Sequence, residues 1–420
     1  MPQERSPELE EALQSHPCYT EKAHHKFARM HIPVAPACNI QCNYCNRKYD
    51  CTNESRPGVT STVLTPEQAL QKVRYVKERL PELKVVAVAG PGDPLANEET
   101  FTAMSLISQE FPEMTLCLST NGLMLPDNVD RLWDLGIRFM TVTINAVDPD
   151  VAKEIYKFVN YDGKHLVGRE ASEMLLKKQL LGVKKCVEKG MLVKINMVLI
   201  PGINDKHIPE AVKLFKGMGV YIVNILPLIP VEGTAFENRR APTASERKNL
   251  QDLCANDVRM MRHCKQCRAD AIGLLGKDRS GEFEGFCGSG CGPTEMTKSH
   301  PIRIGEDSTT RLAVASSKGE TVDGGFGNSK TFRLYEYCNG RISSTGLVEL
   351  NRDLEKPLYG ESHRQLLEAT VEELSNNDII IVTGIGEKAR GDLEARGIHI
   401  HLSRLAVNEA IEEAVQNARS

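Results

Sequence analysis

From residue 31 to about residue 230, short apolar runs alternate with longer stretches of helical periodicity. The apolar runs are IPVAP (32–36), KVVAVAG (84–90), MTLCLST (114–120), RFMTVTIN (138–145), MLVKINMVLI (191–200) and VYIVNILPL (220–228). Most are nearly continuous and rich in Val and Ile, which predicts parallel strands covered on both faces. TPEQALQKVRYVKERL predicts a helix with Thr65 as N-cap, Pro66 in the first turn, and Ala69, Leu70, Val73, Val76 and Leu80 on one apolar face. Similar stripes occur at 98–110, 172–188 and 207–217. Six strand–helix units with right-handed crossovers predict an α/β fold. Six is short of the eight of a closed barrel, so the expectation is a partial, open (β/α)6 TIM-like barrel. Functional residues should then sit at the C-terminal strand ends. Cys38, residues 90–94, residues 120–122, Asn145 and residues 201–205 occupy such positions.

A helix over 243–262 leads into CKQC, and 288–310 reads as a linker. Beyond it, RLAVASS, TFRLYEYCNG, RISSTGLVEL, DIIIVTG and IHIHLS predict strands, with helices near 361–376, 387–396 and 406–418. The expected organisation is an N-terminal extension (1–30), a barrel with a C-terminal cluster-binding segment (31–286), a linker (287–309) and a smaller α/β domain (310–420).

Composition narrows the partners. The chain has 420 residues, 41% of them hydrophobic, and a net charge of −4, a balance that argues for neither nucleic acid nor an anionic membrane. The start, MPQERSPELEEALQS, is polar and does not read as a signal peptide. The apolar runs are too short for a span of about 20 residues. A cytoplasmic location is expected, and there disulfides are rare. Eight of the 13 cysteines instead cluster at 38–51 and 264–291, a distribution that favours metal.

Cys38, Cys42 and Cys45 form C-x3-C-x2-C after the first predicted strand, with Tyr44 before the last thiol. Buried structural thiols and a zinc site are the alternatives. Zinc asks for a fourth ligand and usually paired C-x2-C hooks. A ferredoxin-type cluster asks for a four-cysteine run. Three thiolates on a four-iron cluster leave one iron open. This motif, with AGPGDPLAN after the second strand, resembles the radical SAM superfamily. The resemblance implies a 4Fe-4S cluster held by three cysteines, with S-adenosylmethionine (SAM) on the open iron and reductive cleavage to a deoxyadenosyl radical. It also implies SAM contacts from Gly90, Gly92 and Asp93. Asn121, Asn145 and Asn196 lie near later strand ends, where contact with SAM and support of a loop stand as equal readings.

A longer stretch, HHKFARMHIPVAPACNIQCNYCNRKYDCTNESRPGV, together with HPCY (16–19), TNGL and CRADAIGLLG (267–276), closely resembles the NifB family of nitrogenase-cofactor maturases. The likeness covers about 15–280, and the tail from about 310 resembles the NifX/NafY cofactor-binding domains, which are ribonuclease H-like. The resemblance implies fusion of two auxiliary 4Fe-4S substrate clusters, with insertion of a SAM-derived carbide, into NifB-co, an 8Fe-9S-C precursor. It points to Cys18, Cys51 and Cys117 with His31 for the first auxiliary cluster, His24 and His25 being alternatives to His31; the C-x2-C hook of Cys264 and Cys267 reads as the core of the second, with Cys254, Cys287 and Cys291 all in reach as partners. It offers Glu54 and Arg56 for proton handling or for holding the first cluster, with a solvated Glu–Arg loop as the equal alternative. Implied partners are iron–sulfur donors, a reductant protein and downstream carrier or scaffold proteins. Two other classes remain open: a radical SAM enzyme acting on an organic or peptide substrate, and a non-catalytic iron–sulfur carrier.

Overall fold

The computed structural model describes residues 6–53, 59–283, 309–327, 329–338, 340–350, 368–385 and 387–419. Glu54, Arg56 and the expected linker up to residue 308 lie outside them. The chain divides into two compact units, Met1–Pro293 and Thr294–Ser420.

In the first unit, six strands pair in parallel in chain order: β1 (Ala28–His31), β2 (Leu83–Val88), β3 (Thr115–Thr120), β4 (Phe139–Thr143), β5 (Leu192–Leu199) and β6 (Ile222–Pro227). The sheet stays open. β6 ends it on one side, and on the other Ile272–Leu274 pairs antiparallel to β1, followed by Lys277–Asp278. The helix Pro66–Arg79 begins as expected. Thr65 accepts from the Gln68 amide at 3.2 Å, and the Gln68 side chain accepts from the Thr65 amide at 2.9 Å, closing a capping box. Helices Glu98–Glu110, Gly168–Glu188 and Ile208–Gly217 follow the expected stripes. Their apolar faces and the outward strand residues form one continuous core.

Several expectations need correction. The first strand is not IPVAP but ARMH, at residues 28–31. Ala28 and Met30 are buried in the core, while Arg29 and His31 point into the barrel. Residues 32–36 carry only an isolated bridge, Ala35 to Pro91. The helix expected over 243–262 is Ala244–Cys254. Helices Pro7–Ser15 and Leu125–Asp134 were not anticipated. Nor was the hairpin Tyr156–Tyr161/Lys164–Val167, which pairs with Ile40–Cys42 and anchors the cysteine loop to the barrel.

The N-terminal segment closes the bottom of the barrel. Leu13 and Tyr19 pack against Val85, Phe139 and Leu192 near the strand starts. The Tyr19 hydroxyl reaches the Met140 and Leu192 carbonyls at 2.9 and 3.3 Å. Truncating a buried aromatic of this size to alanine costs about 3–5 kcal/mol.

The second unit is a five-stranded mixed sheet in the order Arg341–Glu349, Thr331–Cys338, Thr310–Val314, Ile379–Val382 and His399–Leu402. The first three strands pair antiparallel and the last three parallel, as in a ribonuclease H-like sheet. Strand alternation sorts its core onto two faces. Ile379 and Ile381 pack with Ile411 and Val415 of the helix Val407–Arg419, and Ile380 and Val382 with Leu393 on the other face. No helix among the described residues is long and apolar enough to cross a membrane.

Candidate metal centre

Two cavities occupy the barrel. The upper one, at the C-terminal strand ends, is lined by Cys38, Cys42 and Cys45, and also by Gly92, Asp93 and Asn121. Cys42 ends the short strand Ile40–Cys42, opposite Tyr156. Burial pushes the Cys38 thiol up to about 11, helped by the nearby Asp93 carboxylate. Burial raises Cys42 further, with Cys45 and Cys38 opposing its ionisation, and raises Cys45 as well. Three converging thiols that resist ionisation in isolation form a donor set suited to a cation, which holds such groups as thiolates. The chemistry of the donors therefore fits a 4Fe-4S cluster.

The residues around this cavity lock the loop in place. Asp93 does not point at the thiols as a free carboxylate. It accepts from Leu95 N at 3.0 Å, Thr120 Oγ1 at 2.9 Å and Asn121 N at 2.6 Å, tying the end of β2 to the end of β3. Gly92 lies so close to the cluster loop that a Cβ there would stand 2.1 Å from the Ala37 carbonyl oxygen. Replacement by alanine must prise two backbone segments apart, at a cost of about 1–3 kcal/mol. Gly92→Ala should therefore lower both the thermal midpoint and the iron bound per chain after anaerobic reconstitution, measured by calorimetry and colorimetric iron assay. Gly122 has φ +85°, and a Cβ there would meet Val142 and Gln179 at 2.8 and 2.9 Å.

Asn121 donates to Asn39 Oδ1 at 2.7 Å, with Cys38 Sγ at 3.8 Å. Asn145 is fully buried, and both its amide atoms are engaged. It donates to the Tyr44 hydroxyl at 2.6 Å and accepts from Val198 N at 2.7 Å, so it supports the tyrosine of the motif. Asn196 lines the lower cavity, not the upper one.

The lower cavity is the barrel interior. β1 sends Arg29 and His31 inward, β3 Cys117 and Ser119, and β5 Lys194 and Asn196. Cys18 enters from the N-terminal segment, and Cys264 and Cys267 from the segment after the barrel. Burial pushes the Cys18 thiol up to about 11, with Cys267 and Cys264 adding to the rise while Lys194 and Arg29 oppose it. His31 Nδ1 lies 2.9 Å from the Arg268 carbonyl oxygen. Burial, reinforced by Arg29, lowers its pKa to about 4. The imidazole is thus neutral near pH 7, with Nδ1–H donated to the carbonyl and Nε2 left as a ligand atom.

Cys51 lines the upper cavity with the motif thiols. Two residues on, Asn53 lines both cavities, as does Ser119, whose buried hydroxyl has no hydrogen-bond partner among the described residues. The Asn53 side chain accepts from Tyr44 at 2.6 Å, and its carbonyl accepts from Asn196 at 3.3 Å. Sequence reasoning missed Arg29, Lys194, Asn53 and Ser119. For Lys194 a signal existed: a lone lysine inside the apolar run MLVKINMVLI. In the second unit, His401 is buried with Glu413 at 3.6 Å. Gly386, just past the strand Ile379–Val382, lies outside the described residues.

Residues 32–215 match the radical SAM superfamily. Residues 309–420 match the family described as dinitrogenase iron-molybdenum cofactor. Among whole-length relatives, the FeMo cofactor biosynthesis protein NifB of Frankia alni is 41% identical, over 94% of this chain and 86% of the relative. That of Klebsiella pneumoniae is 44% identical, over 94% and 88%. That of Azotobacter vinelandii is 38% identical, over 96% and 87%. With the motif thiols converging at the mouth of an open six-strand barrel, and with that kinship along nearly its whole length, the chain belongs to the NifB family of radical SAM enzymes for nitrogenase-cofactor biosynthesis.

Proposed function

We propose that this enzyme fuses two 4Fe-4S substrate clusters in the lower cavity and inserts a SAM-derived carbide, releasing an 8Fe-9S-C product. The observation that carries the reading is the pair of adjoining cavities, which share Asn53 and Ser119, with the three motif thiols in one and Cys18, His31, Cys117, Cys264 and Cys267 in the other. The resident cluster, held by Cys38, Cys42 and Cys45, supplies the electron for SAM cleavage when bound. The chain's own residues position and enclose. Asn121 sits beside Cys38, and Gly90 and Gly92 let the strand-end backbone approach the SAM site. Asn196 serves the substrate side and holds Asn53.

The expected ligand grouping is revised in one respect. Cys18 feels both Cys264 and Cys267, which supports a three-thiol set for the second substrate cluster. His31 and Cys117 hold the first, with Cys51 reaching in from the wall beside Asn53. Few ligands per cluster, one of them a neutral imidazole, suit a site that must release what it makes. Glu54 and Arg56 follow Asn53 in sequence; Glu54 is proposed to accept protons from the methyl carbon and Arg56 to hold the first substrate cluster by its charge, and both lie outside the described residues. The second unit is proposed to hold product for transfer to carrier or scaffold proteins, with iron–sulfur donors and a reductant protein upstream.

The test is anaerobic reconstitution with iron and sulfide, followed by SAM carrying a labelled methyl carbon and dithionite. Deoxyadenosine, S-adenosylhomocysteine and label in an isolable eight-iron cluster are expected together. Deoxyadenosine without S-adenosylhomocysteine or labelled cluster would instead favour an organic substrate and sink this reading.

A further inference from the structure

Two histidines line the lower cavity, and their rings are held in opposite senses. His31 turns Nδ1 to the Arg268 carbonyl oxygen at 2.9 Å. A carbonyl only accepts, so that nitrogen carries the proton and Nε2 keeps its lone pair. His16 turns Nδ1 to the Cys18 backbone amide at 3.2 Å. An amide N–H only donates, so here Nδ1 is the bare nitrogen and Nε2 carries the proton. His16 is 1% exposed. Its Nε2 is buried and has no hydrogen-bond partner among the described residues.

The surroundings fix this orientation. The ring lies against Tyr19 and Phe139, with centroids 4.6 and 4.7 Å away, on the floor of the cavity. The Tyr19 and Thr20 amides both donate to the His16 carbonyl at 3.1 Å, which pins the backbone as well. A flipped ring would set a carbon against the Cys18 amide and lose that bond. His31 and Lys194, from β1 and β5, both act on the ring electrostatically, so it lies within their reach. A buried N–H left without an acceptor is unfavourable, and folded interiors keep few of them.

We propose that His16 donates its Nε2–H to a sulfur of a substrate cluster, a contact of a different kind from the iron ligation that His31 offers. This rests on the reading of the lower cavity as the substrate-cluster site. Cluster sulfur accepts more strongly as the cluster gains electrons, so the bond favours the reduced level and raises the midpoint potential. It also orients the cluster through a contact that breaks without any exchange of iron ligands, which suits a cargo that must leave.

The experiment is pulsed electron paramagnetic resonance of the anaerobically reconstituted full chain, isotopically labelled in histidine nitrogen and exchanged into deuterated water. Added SAM marks the signal of the resident cluster. The auxiliary signals should show a strong nitrogen coupling, which His31→Gln removes. They should also show a weak one accompanied by an exchangeable proton, which survives His31→Gln. His16→Leu should erase the weak coupling and leave the iron bound per chain unchanged. It should weaken the reduced form of an auxiliary cluster about tenfold, a shift of about 59 mV to more negative potential for a one-electron couple. His16→Gln restores a donor near the Nε2 position and should recover most of that shift. A strong coupling lost together with iron in His16→Leu would make His16 a ligand and overturn the proposal. Absence of the weak, exchangeable coupling from both wild type and His31→Gln would overturn it without recourse to any His16 variant. A wild-type chain that gives only the SAM-responsive signal would overturn the substrate-cluster reading and this proposal with it.

Discussion

Cys42→Ala, reconstituted anaerobically and given SAM and dithionite, should yield no deoxyadenosine and no eight-iron product. Cys42 is the most confined of the motif thiols. It is 6% exposed and ends the strand that the Tyr156 hairpin pins in place. Removing it leaves Cys38 and Cys45 to hold the cluster. The fold should survive, because one buried sulfur is a small fraction of this core. Circular dichroism and thermal melting check that point, and chromatography of the nucleoside products reads the activity. Retained cleavage would refute the assignment of the SAM cluster to these three cysteines. The position of Cys51 on the same cavity makes its single variant informative. Cys51→Ala should keep deoxyadenosine formation and lose the labelled product. Loss of both would place Cys51 with the motif thiols.

His31→Ala should separate the two cavities functionally. SAM cleavage continues, while product falls by about tenfold or more, a minimum drawn from the effect of removing even the groups that orient metal ligands. The geometry gives the reason. The Arg268 carbonyl fixes Nδ1, burial keeps the ring neutral, and Nε2 is the only nitrogen left to offer. His31→Gln can retain a hydrogen bond to that carbonyl but cannot replace imidazole as a ligand. It should therefore resemble His31→Ala in product yield while melting closer to wild type. Unchanged cluster spectra and yield in both variants would remove His31 from the ligand set.

Local patterns revealed much of this architecture. Helices announced themselves through caps such as Thr65–Gln68, and the buried strands through uninterrupted Val and Ile. The three motif thiols stood out by their spacing along one loop, and they line one cavity. The first strand was misplaced for an instructive reason. ARMH turns Arg29 and His31 toward the cavity, so a strand whose inner face carries chemistry loses the apolar run that marks its neighbours. The Tyr156–Val167 hairpin was missed because its burial is partial and its polar positions face outward. The association of Cys18 with Cys264 and Cys267 joins the two ends of the barrel unit, and no window of sequence can encode it. Asn145 was visible as a strand-end amide, yet only the structure distinguishes an amide that supports Tyr44 from one that faces a ligand.

The tyrosine that closes the barrel floor also imposes an order on folding. Its hydroxyl finds its carbonyl partners 121 and 173 residues further along the chain. Contacts of such separation pay their loop-closure entropy before they return any stability, and chains rich in them fold slowly. During synthesis, Tyr19 has no complete seat until β5 has left the ribosome. Cys18 is its immediate neighbour and travels with it. His31 and Cys117 can therefore take up their strand positions while the floor beneath them is still open, and Cys18 arrives with the closure.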